Sequence, residues 1–163
     1  MKTLTWQKPG QQNVAQELIK IIINYVAELR LKNENRRLGM VYTICIGSNE
    51  RRKDNLALAR KRLSELFPDI RFSAETDTQP LFFRRQALFA NQVARFMSDC
   101  DVHEITLYLK SIEREAGRTS EEKKQEIVRL DIDLLSCDNR VYKPEDLKRD
   151  YIVRGLEELD EKI

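Results

Sequence analysis

At 163 residues the chain is one domain's worth, enough for a single hydrophobic core with something left over. Its 29 Lys and Arg against 27 Asp and Glu leave a net charge of +2, too near neutral to argue for nucleic acid or an anionic membrane as partner. Three cysteines lack metal-type spacing (Cys45, inside an apolar run, reads as a buried free thiol), and with neither a bilayer-spanning run nor a signal-peptide pattern a cytoplasmic location is expected.

The first forty residues differ from the rest. After Pro9-Gly10, Asn13 caps a predicted helix with Gln16 three residues on, and Ala15, Leu18, Ile22, Tyr25 and Leu29 recur at spacings of three and four. Residues 1–39 are therefore expected to form a helical extension, either docked on the domain or pairing two copies as a short dimer helix. The compact domain is expected over residues 40–163.

There Tyr42 to Ile46 forms a short apolar strand, closed by Gly47-Ser48-Asn49. Leu56, Ala59, Leu63, Leu66 and Phe67 share one helical face, and Pro68-Asp69 ends that helix. Ile70, Phe72 and Ala74 alternate with Arg71, Ser73 and Glu75, the pattern of a half-buried strand. A loop is expected from Asp77 to Gln86 and a further strand from Leu88 to Met97. Asp101 and Glu104 have capping-box spacing ahead of a helix striped by Ile105, Leu109, Ile112 and Ala116 and stopped at Gly117. Arg118 to Glu126 has no apolar period and reads as a loop. Ile127 to Leu135 is a strand, Asp138-Asn139 a turn, and Arg140 to Tyr142 pairs back. A last helix follows Pro144, with Ile152, Leu156, Leu159 and Ile163 in register. From Met40 the order β-α-β-β-α-β predicts an α+β fold, the ferredoxin-like split β-α-β with an antiparallel sheet.

Period two along Val128 to Leu135 sends Val128, Leu130, Ile132 and Leu134 to the core and Arg129, Asp131, Asp133 and Leu135 to the opposite face. Aspartate is disfavoured in strands, yet two stand here around one core isoleucine, with Cβ atoms about 6.5–7 Å apart. Such a pair can hold hard cations: magnesium takes one or two protein carboxylates and completes its shell with water and substrate phosphates. Two solvated aspartates paired with Arg129 or with lysines are the plainer reading. Arg118, Lys123, Lys124 and Arg129 could line a polyphosphate bridging to the pair, because phosphoryl-type transfer depends on neutralising charge on the moving group. An ordinary solvated loop is the alternative. Asn91, between Phe89 and Val93 on one strand face, offers the mixed donors and acceptor that the edge of a heterocycle needs. Phe89, Phe82 or Tyr151 could stack on a flat ring, or could simply be core. His103, the single histidine, has no partner in sequence, and there is no Gly-rich phosphate loop or Walker lysine.

From Met40 on, these residues resemble the 6-hydroxymethyl-7,8-dihydropterin pyrophosphokinase family of folate biosynthesis. The matching stretches are YTICIGSN at Tyr42 to Asn49, Asn55-Leu56, Thr78 with Pro80, Phe89-Ala90-Asn91, Ile112-Glu113 with Gly117-Arg118, and LDIDLL at Leu130 to Leu135. Arg149 to Val153 resembles the family's entry into its closing helix. The resemblance implies a ferredoxin-like fold that transfers pyrophosphate from ATP to the pterin hydroxymethyl group and releases AMP. It implies that Asp131 and Asp133 hold two magnesium ions against the ATP phosphates, and that Thr78, Phe89, Asn91 and Tyr151 surround the pterin. It further implies nucleotide contacts from Glu113, Arg118, Lys124, Arg129 and Arg149.

The chain departs from that family's pattern in places. Its loop before the acidic pair reads TSEEKKQEIVR where the family carries further arginines, a tryptophan and a Gly-Pro-Arg run. A Pro-His segment before Arg149 is missing, Gln79 stands where a proline is common, and no glycine follows Pro80. Charge-assisted phosphate contacts are worth on the order of 1.5–3 kcal/mol each. Their loss leaves open a slow enzyme, or a binding or regulatory module that keeps the fold without the reaction.

Overall fold

The computed structural model describes residues 17, 19–28, 39–81, 83–117 and 119–161, in two compact units, Met1–Leu38 and Gly39–Ile163. In the first, residues 19–28 form helix α1. Ile22 and Tyr25 of the predicted stripe lie on it and are exposed. Asn13, Ala15, Leu18 and Leu29 lie outside the described residues.

The second unit is organised around strand β1 (Met40–Ser48). Tyr42, Ile44 and Ile46 are fully buried on one of its faces, and Thr43 and Cys45 are also buried on the other. A strand buried on both sides needs a partner layer over each. Helix α2 (Arg52–Leu66) supplies Leu56, Ala59 and Leu63 to the first. Phe67 follows it, stacked on Phe96 at a centroid distance of 4.0 Å, while Leu66 is exposed. The chain leaves the helix at that point, so of the last two residues expected on this face Phe67 packs and Leu66 does not.

The expected strand around Ile70 to Ala74 is in fact two pieces, β2 (Arg71–Phe72) and β3 (Thr76–Thr78), both antiparallel to β4 (Phe89–Ser98). Ser73 interrupts them. Its N–H donates to the Val93 carbonyl, and its hydroxyl accepts from the Val93 N–H, at 2.9 and 3.0 Å. The serine is thereby buried and Ala74 exposed, the reverse of the alternation read from the sequence. The expected loop from Asp77 likewise starts later, since Asp77 and Thr78 belong to β3.

Helix α3 (Val102–Glu115) begins with the predicted capping box: Asp101 accepts from the Glu104 N–H and Glu104 from the Asp101 N–H. Ile105, Leu109 and Ile112 are buried under it, and Gly117 ends the segment at φ 84°. The polar stretch expected as a loop holds a short helix, α4 (Ser120–Lys124), where the Thr119 hydroxyl accepts from the Glu122 N–H. Strand β5 (Asp131–Cys137) starts later than the sequence pattern indicates. Ahead of it Val128 exchanges hydrogen bonds with Asn49 rather than with a strand, at 2.7 and 2.9 Å. The turn at Asp138 (φ 46°) returns β6 (Arg140–Val141) along β5. A 3-10 turn (Asp146–Lys148) then leads into α5 (Asp150–Glu161).

Among the described residues the sheet order is β2-β4-β1-β5-β6, antiparallel throughout, with β3 also on β4. Counting β2 and β3 as one broken edge gives the ferredoxin-like arrangement. Helices α2 and α3 cover one face. On the other, Ile152 and Leu159 of α5 pack on Cys45, Val93 and Leu135. Helix α5 comes close because Gly155 lacks a side chain: a Cβ there would lie 2.7 Å from Val93 Cγ2. No helix among the described residues is long and apolar enough to cross a membrane.

Candidate functional site

Ile132 is 1% exposed and belongs to the core under α2 and α3, so Asp131 and Asp133 on either side of it face the α5 layer. Their β1 partners are Gly47 and Cys45, and on the far side of β1 the partner of Gly47 is Asn91. Asn91, Gly47 and Asp131 thus form one row across three strands. Gly47 keeps that row open: a Cβ there would meet Asn91 Oδ1 at 3.2 Å. Asn91 is nearly buried, and its Nδ2 donates to Thr78 Oγ1 at 2.8 Å, which fixes the amide plane. Phe89, two residues before it, tilts against Phe83 at 5.5 Å.

Helix α5 covers only part of this face. The remainder is a cavity of about 560 Å³. Asp131 and Asp133 lie on one side of it, Thr78, Phe89 and Asn91 on another, and Arg149 and Tyr151 at the start of α5 close it. One wall is aromatic with a mixed hydrogen-bonding amide; the other is a pair of carboxylates with cations beside it. That is a place for a flat heterocycle next to a polyanion. A family model described as 7,8-dihydro-6-hydroxymethylpterin-pyrophosphokinase (HPPK) matches residues 43–161. The chain belongs to that family. No curated protein matches it.

Within this pyrophosphokinase fold the cavity carries, beside the expected Arg149, a cation the sequence pattern did not reveal. Lys143 Nζ lies 3.0 Å from Asp133 Oδ1, and that carboxylate raises the lysine's pKa. The signal was in the hairpin: Asp138-Asn139 as a two-residue turn brings the Tyr142 and Lys143 N–H groups back to the Leu135 carbonyl, at 2.9 and 3.4 Å. Only the register of that return puts Lys143 beside Asp133. Arg149 Nη2 lies 2.7 Å from Asp146 Oδ1; burial works against the arginine's charge, but Tyr151 and then Asp146 hold its pKa above the ordinary value. Burial, then the neighbouring Cys45, raises Tyr151. Burial pushes the Cys45 thiol up to about 12, against a smaller lowering by its hydrogen bond with Tyr151.

Other expected nucleotide contacts stand elsewhere. Glu113 is 3% exposed in the helical layer, where Oε1 accepts from the Ile132 N–H at 2.8 Å and from Lys110 at 2.7 Å. It therefore braces the strand residue between the two aspartates. Arg129 pairs with Glu122 at 2.6 Å, and each partner shifts the other toward its charged form. Lys124 pairs with Glu121 at 3.0 Å on an exposed helical turn. Neither Arg129 nor Lys124 lines the cavity. Arg118 and Phe82 lie outside the described residues, as does the side chain of Lys123.

The donor chemistry fits magnesium of one kind. Among the described residues no cluster of three or more His, Cys, Asp or Glu side chains could hold a metal alone. Two carboxylates on a rigid strand are a partial oxygen shell, suited to an ion that arrives with phosphate oxygens and keeps part of its water.

Proposed function

We propose that this chain transfers pyrophosphate from ATP to the hydroxymethyl group of 6-hydroxymethyl-7,8-dihydropterin. The hydroxymethyl oxygen bonds to the β-phosphorus, the bond from that phosphorus to the α–β bridging oxygen breaks, AMP leaves, and the hydroxyl proton is released. Asp131 and Asp133 would hold two magnesium ions against the phosphates, and these ions supply charge neutralisation to the moving group. Asn91, held by Thr78, orients the pterin edge, and Phe89 and Tyr151 flank its ring. Arg149 holds phosphate at the start of α5. The observation that carries this reading is the row Asp131–Gly47–Asn91, which sets the acidic pair beside a side-chain amide in one cavity.

With magnesium, ATP and the hydroxymethyl-dihydropterin, the purified protein should form AMP and not ADP. Asp131→Ala and Asp133→Ala should each lower that rate by at least about a hundredfold, a loss of some 3 kcal/mol of transition-state stabilisation. AMP formation that survives both substitutions would remove the acidic pair from the mechanism.

The self-pairing of Arg129 with Glu122 and of Lys124 with Glu121 favours a second reading, a module that binds pterin or nucleotide without turnover. Calorimetric binding of either ligand with no AMP formed would select it. We also place the protein in the cytoplasm and propose that two copies pair through α1, a reading supported by the exposure of Ile19, Ile22, Ile23 and Val26.

A further inference from the structure

Lys143 belongs to none of the roles above, and its position is specific. It is delivered by the β5–β6 return, its ammonium is within 3.0 Å of Asp133, and it lines the same cavity as Asp131 and Arg149. Two adjacent carboxylates attract any divalent ion; a tethered cation on one of them offsets half of that charge and takes up an oxygen that a metal would use. We propose that Lys143 is a built-in competitor for the divalent ion at Asp133, which makes the site select the metal–nucleotide complex over free metal. A free ion has to displace the ammonium into water. An ion that arrives with a polyphosphate brings phosphate oxygens to which the ammonium can turn, so its displacement costs less. Lys143 thereby couples metal loading to nucleotide loading. The inference rests on the reading of Asp131 and Asp133 as the metal-holding pair.

Manganese suits the same oxygen donors and can be titrated directly. Full-length protein and Lys143→Met are titrated with Mn²⁺ alone, then with Mn²⁺ and a non-hydrolysable ATP analogue, and free Mn²⁺ is followed by electron paramagnetic resonance. Without nucleotide, Lys143→Met should bind Mn²⁺ about fivefold tighter than wild type, the factor set by the upper range of a half-exposed ion pair. With the analogue present, the gain should shrink or reverse. In Lys143→Met combined with Asp133→Asn the gain should vanish. Equal, measurable Mn²⁺ affinity for wild type and Lys143→Met overturns the role of Lys143 and leaves the acidic pair intact. No Mn²⁺ binding by either protein, with or without the analogue, overturns the metal-site reading itself.

Discussion

Cys45 stands beside Asp133 on the neighbouring strand, under the Tyr151 hydroxyl, and its chemistry follows from that burial. Its pKa moves from an ordinary 9.0 to about 12 in the folded protein. Above pH 9 the unfolded chain therefore loses a proton that the folded chain keeps. The stabilisation is complete below about pH 9 and is lost as pH rises toward 12. Urea unfolding between about pH 8.5 and 10 should show stability falling by up to 1.4 kcal/mol per pH unit from this group. Cys45→Ala should flatten the slope; parallel slopes for the two proteins would refute the assignment. The two aspartates were legible in the sequence because a strand's period of two is rigid and Ile132 is unambiguous core. Lys143 was not, because its place depends on the register of a return strand and not on a local pattern. The contacts of Cys45 and Tyr151 were not either, since they depend on where a helix docks.

At the scale of elements, the site exists because α5 reaches the sheet but does not cover it. Gly155 sets that approach. Helix propensity alone favours Gly155→Ala by up to about 1 kcal/mol. The new Cβ, however, would stand 2.7 Å from Val93 Cγ2 and 3.2 Å from Ser73 Oγ, both on buried side chains that have little room to yield. Overpacking of this kind costs roughly 1–3 kcal/mol, so the substitution should destabilise the domain in urea or thermal unfolding. A stability gain would show that α5 can slide without cost. Strand β1 was readable as an apolar run, and helices α2 and α3 from a buried stripe and, for α3, a capping box. The broken edge β2–β3 was not, because a buried serine hydroxyl substitutes for a ladder bond and reverses the alternation around it. Helix α4 leaves no apolar period in the sequence for a related reason: a side-chain cap at Thr119 and an ion pair accompany it instead of an apolar stripe.

For the whole molecule, the unit before Gly39 carries the helix proposed to pair two copies, and the unit from Gly39 carries the cavity. Exposed isoleucines on α1 lead to a specific expectation: sedimentation of the full chain should give twice the protomer mass of 19.3 kDa, and Ile22→Glu should return it to the protomer. A single protomer at every concentration would dismiss α1 as the pairing element. The ferredoxin-like order was legible because six elements in sequence leave few topologies. The grip on the nucleotide was less so, since charged side chains such as Arg129 choose between a ligand and a neighbouring carboxylate in ways no spacing rule records. The central claim is that the outward-facing acids of β5 bind a polyphosphate through divalent ions. Calorimetry with a non-hydrolysable ATP analogue, with magnesium and then with a chelator, tests it most directly. Binding should require the metal and should weaken at least about a hundredfold, near 2.7 kcal/mol, in Asp131→Asn or Asp133→Asn. Equal affinity in the presence of chelator, or in both variants, would contradict it.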